Sequence, residues 1–215
     1  MIILFDLDGT LIDSTEAILE SFHNAFAVSG LSSPDDEEIK ALIGHPLDVM
    51  GRELGVNEEL IWDFVQTYKE HYRKISTQKT VLLENAKEAV EQAASFASLG
   101  IVTTKTGEYS RILMEHFGLM DKFDVLIGRE DVQNPKPHAE PILKALEKFD
   151  TDNKEIWMIG DTQMDLLSAK NAGVNGIGVL SGYDKEEKMK MFTNIIFSDS
   201  LEAVNYLKSR KRVHS

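Results

Sequence analysis

Two aspartates near the start of the chain are spaced so that they could act together. Asp6 and Asp8 are one residue apart, follow the apolar run at residues 2–5, and precede Gly9 and Thr10. Two neighbouring carboxylates repel each other unless a cation lies between them, and oxygen ligands suit a hard ion such as Mg2+. Gly9 would allow the backbone to turn closely around a ligand. The spacing indicates a metal site, with a strand that ends in an acidic turn as the alternative.

Two later segments have the residue types that hold phosphate oxygens. Thr103, Thr104 and Lys105 follow a short apolar run and offer a hydroxyl group, backbone amides and a positive charge. Lys136 has a proline on each side, so its segment is stiff and extended, and positioning its side chain costs less entropy. For the first segment the alternative is an ordinary strand end, since threonines are common in strands, and for Lys136 it is a solvated surface lysine.

A second acidic pair follows the apolar run at residues 156–159. Asp161 comes at the end of this run, and Asp165 lies four residues later. If a helix begins between them, both carboxylates face the same side, because residues about one helical turn apart share a face. The pair is therefore a second candidate for binding one metal ion.

Six short apolar runs alternate with helical patterns and predict strands. They are residues 2–7, 100–104, 124–127, 156–159, 176–180 and 195–197. Strands that alternate with helices predict an α/β fold with a parallel sheet, and ligands bind at the carboxyl ends of such strands. The acidic and basic residues above lie at these ends.

One long interval has no convincing strand. Between residues 14 and 83 the pattern is that of amphipathic helices, at 16–28, 35–43, 47–54 and 58–75. Gly30 is expected to stop the first of these helices, and Ser33 with Pro34 is expected to start the second as N-cap and first helical residue. A helical insert thus interrupts the α/β core just after its first strand.

Composition excludes several classes of function. The 215 residues include 36 acidic and 23 basic side chains, for a net charge of −13, which disfavours nucleic acid and anionic membranes as partners. The absence of cysteine excludes disulfides and thiolate chemistry. No signal peptide or apolar stretch of about 18 residues is evident, so we expect a cytoplasmic protein. A negatively charged substrate would need a local positive site.

Together these motifs resemble the four ordered motifs of the haloacid dehalogenase (HAD) superfamily. The motifs are Asp-x-Asp-Gly-Thr, a strand-end Thr, a proline-flanked Lys and Gly-Asp-x-x-x-Asp, and the match covers essentially the whole chain. The insert resembles the C1 cap of the phosphoglycolate phosphatase-like and β-phosphoglucomutase-like branch. The resemblance implies a three-layer, Rossmann-like parallel sheet core, residues 1–13 and 84–215, and an inserted α-helical cap domain, residues 14–83.

The resemblance also implies catalytic roles for four residues. Asp6 would be the nucleophile that forms an aspartyl-phosphate. Asp8 would protonate the leaving alcohol and then activate the attacking water. Thr103 and Lys136 would hold the oxygens of the transferring phosphoryl group.

The cofactor implied by the resemblance is Mg2+. It would be held by the Asp6 carboxylate, the backbone carbonyl of Asp8 and Asp161, with Asp165 directly on the metal or one shell away. Substrate would be a small phosphorylated metabolite, and the protein a monomer or homodimer. The candidate substrate-binding residues are Gly9, Thr10, Thr104 and Lys105 in the core, and His45 and Arg52 in the cap.

Several reactions remain open within this resemblance. Dehalogenases lack an acidic residue at the position of Asp8, because halide leaves without a proton, so a phosphatase is favoured. A sugar phosphomutase and a pyrophosphatase of the same fold are alternatives. Outside the family, a phospho-accepting receiver-like module also combines acidic residues, Thr and Lys on a parallel sheet. Two departures from the usual family pattern are Glu84-Asn85 in place of Pro-Gly, and Thr103-Thr104-Lys105 in place of Thr-Asn-Lys.

Overall fold

The computed structural model, which describes residues 1–213, divides into two compact units. One unit comprises Met1–Asp13 and Leu82–Ser215, and the other comprises Ser14–Val81. The second unit is therefore an insertion between the first strand and the rest of the α/β chain. The sequence placed the end of this insert at residue 83.

A parallel sheet lies at the centre of the first unit. The strands of the described chain are β1 (Ile2–Phe5), β2 (Ile12–Asp13), β3 (Val81–Leu82), β4 (Ser98–Val102), β5 (Val125–Ile127), β6 (Ile156–Gly160), β7 (Asn175–Val179) and β8 (Ile196–Phe197). Six of them form one sheet in the order β5-β4-β1-β6-β7-β8, with every neighbouring pair parallel. The six predicted strands and the α/β class are confirmed.

Helices cover both faces of this sheet. The helices of the described chain are α1 (Thr15–Val28), α2 (Asp36–Lys40), α3 (Leu47–Glu53), α4 (Ile61–Lys79), α5 (Ala86–Ala94), α6 (Gly107–His116), α7 (Glu140–Leu146), α8 (Gln163–Asn171), α9 (Glu186–Met189) and α10 (Ser200–Val213). Ile3 and Phe5 of β1 belong to a core cluster with residues of α5, α6 and α10. Ile2 and Leu4 belong to another with residues of α7 and α8. Because side chains alternate along a strand, this gives the three-layer core that was predicted.

Aromatic packing holds the helical unit together. Phe22 and Phe26 of α1 face α4, where the ring centroid of Phe22 lies 4.9 Å from that of Tyr68, and that of Phe26 lies 4.9 Å from that of Phe64. These four side chains are buried. This packing explains the amphipathic patterns predicted at 16–28 and 58–75.

The predicted start of α2 was wrong. Asp35, and not Ser33, caps the helix: its side chain accepts from the Glu38 N–H at 2.9 Å while the Glu38 side chain accepts from the Asp35 N–H at 3.0 Å. Ser33 Oγ instead lies 2.6 Å from His23 Nδ1. The capping box satisfies two backbone donors at once, which outweighs the preference for a Ser-Pro start. The predicted stop at Gly30 is confirmed, since α1 ends at Val28 and Gly30 has φ +68.

Two further differences have local causes. The sequence showed no strand at β2 or β3, because two residues are too short for an alternating pattern to be seen. Asn85, which stands where the resembling family usually has Gly, has φ +63 at the start of α5. Asn adopts this left-handed conformation more readily than other non-glycine residues, so the substitution preserves the turn.

Candidate functional site

Three adjacent strands bring the chemically important residues to one edge of the sheet. Asp6 directly follows β1, Thr103 follows β4 and Asp161 follows β6. Because β1 pairs in parallel with both β4 and β6, the carboxyl ends of the three strands lie side by side. Lys136 lies in the segment between β5 and α7. The strand β5 is the neighbour of β4, so its carboxyl end lies at the same edge of the sheet.

Three buried carboxylates converge at this edge. Ligand atoms from Asp6, Asp161 and Asp165 all lie within 4.8 Å of one another. Asp6 is 4% exposed, and Asp161 and Asp165 are fully buried. The two acidic pairs of the sequence therefore contribute to one cluster.

The two aspartates from the second pair are held by neighbouring hydrogen-bond donors. The Thr10 hydroxyl donates to Asp161 Oδ1 at 3.0 Å, and the backbone N–H of Tyr183 donates to Asp161 Oδ2 at 2.9 Å. Thr162 caps α8, and both its N–H (3.0 Å) and its hydroxyl (2.7 Å) donate to Asp165 Oδ2. These bonds fix the direction of each carboxylate before any ligand binds.

Glycine is required where backbone passes the Asp161 carboxylate. Gly9 has φ +79, and a Cβ there would overlap the Asp161 side chain. A Cβ at Gly182 would overlap the same carboxylate. The loop after β1 and the loop after β7 thus both approach Asp161 at a distance that only glycine permits. Gly9 is thus required for the approach to Asp161, and its predicted role beside a ligand stays a prediction.

Lys136 is the positive charge of the cluster. Its Nζ lies 2.9 Å from Asp6 Oδ1 and 2.5 Å from Asp165 Oδ1, and it donates to the Val102 carbonyl at 3.1 Å. The side chain is 2% exposed. The contact with Asp6 is an ion pair without the alignment of a hydrogen bond, and Asp6 Oδ1 accepts no hydrogen bond from the described residues. The surface alternative for this lysine is therefore wrong.

Burial and mutual repulsion perturb the acidic groups. Loss of solvent raises the pKa of Asp6 to about 7, against the opposing effect of Lys136. Burial also raises the pKa of Asp161 well above its ordinary value, with further contributions from Asp165 and Asp6. Burial alone would lower the pKa of Lys136, but Asp165 and Asp6 outweigh it, and the pKa is raised. Lys136 is therefore charged at neutral pH, while the carboxylates lack sufficient positive charge.

The cluster fits a divalent cation. Three carboxylates face one lysine, so two negative charges are uncompensated within the described cluster when all the acids are ionised. Carboxylate oxygens of Asp6, Asp161 and Asp165 lie within 4.8 Å of one another, close enough to bind one ion. Hard divalent cations prefer carboxylate oxygens, and a charge of +2 would balance the site.

Asp8 lies in a different ion pair. Lys105 Nζ is 3.0 Å from Asp8 Oδ2, and the two side chains are 8% and 13% exposed. The Asp8 carboxylate is not a member of the three-acid cluster. Each residue of the Asp-x-Asp pair thus has its own lysine, Lys136 at Asp6 and Lys105 at Asp8, although the Asp8 charge also contributes to the raised pKa of Asp6.

The loop that carries Lys105 is fixed by its backbone. The hydroxyl of Thr103, which is 5% exposed, accepts from the Lys105 N–H at 3.2 Å. Glu130 accepts from the N–H of Gly107 at 2.8 Å, at the start of α6. Thr104 is half-buried within the same loop. The loop is therefore anchored at both ends.

Comparison with known proteins assigns the family. The family model described as "Haloacid dehalogenase-like hydrolase" matches residues 3–179. The chain belongs to this family. This confirms the resemblance seen in the sequence motifs and places the chain among hydrolases, apart from receiver-like modules.

Relatives of this HAD-like hydrolase bear phosphatase names. The chain is 34% identical over 194 residues to the pyrophosphatase PpaX of Halalkalibacterium halodurans, with 88% of each chain covered. It is 31% identical over 194 residues to a phosphoglycolate phosphatase of Yersinia pseudotuberculosis, with 86% of this chain and 83% of the relative covered. A haloacid dehalogenase-like family hydrolase from Streptococcus pneumoniae superposes with a TM-score of 0.85 at 27% identity, over 96% of this chain and 97% of that one.

The two candidate substrate residues of the insert lie within the helical unit. His45 is half-buried in the segment between α2 and α3. Arg52 of α3 is bound on two sides, by Glu58 through Nε at 2.7 Å and Nη2 at 2.9 Å, and by Asp48 through Nη1 at 2.7 Å. These hydrogen bonds raise the pKa of Arg52, so its charge is permanent and balanced inside the unit.

Sequence reasoning missed the loop between β7 and α9. This loop supplies the Tyr183 N–H to Asp161, and Asp184 Oδ2 accepts from the Gln163 N–H at 2.6 Å, at the start of α8. The Ser181 hydroxyl donates to the Gly9 carbonyl at 2.8 Å. The available signal was position: the loop follows a predicted strand at the carboxyl edge and contains Gly182.

In the described part of this HAD-like hydrolase, no helix is both long and apolar enough to cross a membrane.

Proposed function

We propose that this HAD-like hydrolase is a Mg2+-dependent phosphatase that hydrolyses a small phosphomonoester through an aspartyl-phosphate on Asp6. One observation carries the proposal. Asp6 lies against Asp161, Asp165 and Lys136, whereas Asp8 is paired separately with Lys105. An attacking carboxylate needs a site that offsets the charge of the phosphoryl group, and the second acid must stand apart to exchange protons.

In the first displacement, a carboxylate oxygen of Asp6 attacks phosphorus. The bond between phosphorus and the ester oxygen breaks, its electron pair passes to that oxygen, and Asp8 supplies the proton that completes the alcohol. Lys136, charged and 2.9 Å from Asp6 Oδ1, steadies the carboxylate and the incoming phosphoryl oxygens. Thr103 and Thr104 lie at the adjacent strand end and would offer hydrogen-bond donors to the same oxygens.

In the second displacement, water attacks the phosphorus of the aspartyl-phosphate. Asp8 accepts a proton from that water, the bond between phosphorus and Asp6 breaks, and inorganic phosphate is released. Asp6 returns as a carboxylate and Asp8 as an acid. The cycle consumes one water and leaves both residues as they began.

Mg2+ is the cation proposed for the acidic cluster. The Asp6 and Asp161 carboxylates and the Asp8 backbone carbonyl would hold it, with Asp165 beside it. When bound, it would neutralise charge on the phosphoryl oxygens and orient the group for in-line attack. The buried carboxylates and the two uncompensated charges support this assignment.

Phosphoglycolate is the first candidate substrate, and pyrophosphate is the second. Relatives at 31% and 34% identity bear the names phosphoglycolate phosphatase and pyrophosphatase. Both compounds are small and anionic, and Lys105, Lys136 and the proposed Mg2+ would provide the local positive charge that a chain of net charge −13 requires. Gly9 and Thr10 are proposed to contact the substrate in the α/β unit, and the cytoplasm is the proposed location. The roles of His45 and Arg52 in substrate binding stay predictions from the sequence.

The proposal is tested by phosphate release from a panel of phosphorylated compounds with Mg2+. We expect turnover that EDTA abolishes and Mg2+ restores. Asp6→Asn should lower kcat by more than about 1000-fold, because the amide cannot form the phospho-intermediate. Acid quenching of the wild-type protein with labelled substrate should trap phosphate on Asp6.

The matched control is Asp121→Asn, which removes an exposed carboxylate from the same unit. It should leave turnover unchanged. If Asp6→Asn retained wild-type activity, or if no member of the panel released phosphate, the proposed function would be wrong.

A further inference from the structure

Each residue of the Asp-x-Asp pair has its own lysine. Lys136 Nζ lies 2.9 Å from Asp6, and Lys105 Nζ lies 3.0 Å from Asp8. The first lysine therefore serves the side of the site at which phosphorus is attacked. The second lies beside the acid that, in the proposed function, meets the departing oxygen.

This position brings the Lys105 charge close to the leaving group. The ester oxygen would contact Asp8 at hydrogen-bond distance, about 2.7 Å. An oxygen that approaches Asp8 Oδ2 then lies within about 6 Å of Lys105 Nζ, since the ion pair itself spans 3.0 Å. Atoms two or three bonds beyond the ester oxygen can lie closer still.

The charge is held in place and shielded from solvent. The Lys105 side chain is 8% exposed. Its N–H donates to the Thr103 hydroxyl, its carbonyl accepts from the Arg129 N–H at 3.0 Å, and the Glu130 carboxylate anchors Gly107 two residues later. In the proposed first displacement Asp8 is the protonated acid, so the Lys105 ammonium is then not neutralised by an Asp8 carboxylate. A charge that is largely shielded from solvent and held on a fixed backbone is weakly screened and loses little entropy when a ligand binds, so it acts strongly on a nearby anion.

We propose that Lys105 is a specificity-determining residue that selects phosphomonoesters with an anionic leaving group. The favoured substrates carry a carboxylate or a second phosphate within about three bonds of the ester oxygen, where the Lys105 ammonium attracts it. A neutral leaving group of the same size gains nothing from this charge. The inference rests on the proposed function, because it depends on Asp8 facing the leaving group.

A simpler role for Lys105 would be to position Asp8 alone. In that case the lysine would affect every substrate equally, because every leaving oxygen meets Asp8. Selection by charge instead changes the ratio between an anionic substrate and a neutral one. The two roles are therefore separated by a ratio of rates.

The test compares phosphoglycolate with 2-hydroxyethyl phosphate, in which a hydroxyl group replaces the carboxylate. We expect the wild-type protein to favour phosphoglycolate in kcat/KM, and Lys105→Met to reduce that preference about 10- to 100-fold. Lys105→Arg keeps the charge and should retain most of the preference. Lys87→Met, on the exposed side of α5, is the control and should leave the ratio unchanged.

Each result decides the inference. An equal loss for both substrates in Lys105→Met would overturn it and assign the residue to positioning Asp8. A wild-type protein that hydrolyses 2-hydroxyethyl phosphate as well as phosphoglycolate, with Asp6-dependent turnover, would also overturn it while the proposed function stands. If Lys105→Met does not fold, Lys105→Gln gives the same comparison. Absence of any Asp6-dependent phosphate release would overturn the proposed function first and the inference with it.

Discussion

At the scale of single residues, the buried acidic cluster lowers the free energy of unfolding, because ionised carboxylates are less stable away from solvent. Asp6 and Asp161 are buried beside a third carboxylate, and only Lys136 among the described residues balances them within the cluster. The raised pKa of both acids reflects this loss of stability, because burial disfavours their ionised form. Binding of a divalent cation would remove it.

This loss of stability predicts how the metal-free protein responds to pH. The pKa of Asp6 is about 7 in the folded chain and 3.8 by ordinary value, so between these pH values the folded state holds more protons than the unfolded state. The free energy of unfolding therefore falls as pH rises through this window. With EDTA, urea denaturation should show lower stability at pH 7.5 than at pH 5, by about 2.5 kcal/mol from Asp6 alone. Mg2+ should restore more stability at pH 7.5.

Asp6→Asn is the control for this pH effect, since the amide does not ionise. The variant without metal should be more stable than the wild-type protein at pH 7.5 and should lose part of the pH slope. The exposed acids with lowered pKa, such as Asp121 and Asp150, are ionised in both states above pH 5 and do not affect this range. A slope of the opposite sign would show that the cluster is stabilising when ionised.

The sequence identified the charged residues of the site but not all of their partners. The types and spacing of Asp6, Asp161 and Asp165 indicated that these acids could meet, and the structure brings their carboxylates together because they lie at the carboxyl ends of adjacent strands. The pairing of Lys105 with Asp8 depends on how the β1 and β4 loops meet in space, and no local pattern encodes it.

At the scale of elements, the start of α8 supports one of the acids. Thr162 is 5% exposed, and its hydroxyl donates to Asp165 Oδ2 while Lys136 holds Oδ1. Thr162→Val keeps the shape and removes this bond. We expect the free energy of unfolding to fall by about 1 kcal/mol. The affinity for Mg2+ should fall about 10- to 100-fold, as it does when other residues that orient metal ligands are changed.

Thr193→Val is the matched control for this change. Its hydroxyl donates to the Gly176 carbonyl at 2.9 Å, in the segment before β8. We expect a similar loss of stability and an unchanged affinity for Mg2+. Calorimetric titration with Mg2+ and urea denaturation give both quantities, and equal Mg2+ affinities for the two variants would contradict the role given to the α8 cap.

How well an element could be predicted depended on its length and on whether more than one residue could cap it. The long apolar runs at β1, β4 and β6 were found because strands covered on both faces are apolar throughout. The strands β2 and β3 were missed because each has only two residues. The start of α2 was misplaced because Ser33 and Asp35 are both good caps, and the contact of Ser33 with His23 comes from a different helix.

At the scale of the whole molecule, the net charge of −13 opposes an anionic substrate, whereas Lys105, Lys136 and the proposed Mg2+ offer direct positive contacts at the site. The two effects differ in how salt screens them. Most acidic side chains that contribute to the net charge are exposed, and charges exposed to solvent are largely screened beyond about 8 Å at physiological ionic strength. The side chains of Lys105 and Lys136 are 8% and 2% exposed, so salt screens their short-range contacts with a bound substrate much less.

This difference predicts that added salt will help the reaction. With Mg2+ held constant, raising KCl from about 10 to 150 mM should increase kcat/KM for an anionic substrate about two- to threefold, because the long-range repulsion is screened first. The kcat at saturating substrate should change little, since the bound substrate is already inside the site. Choline chloride should act in the same way if the effect is one of screening. A fall in kcat/KM with salt would mean that exposed positive charge, and not the buried lysines, draws the substrate in.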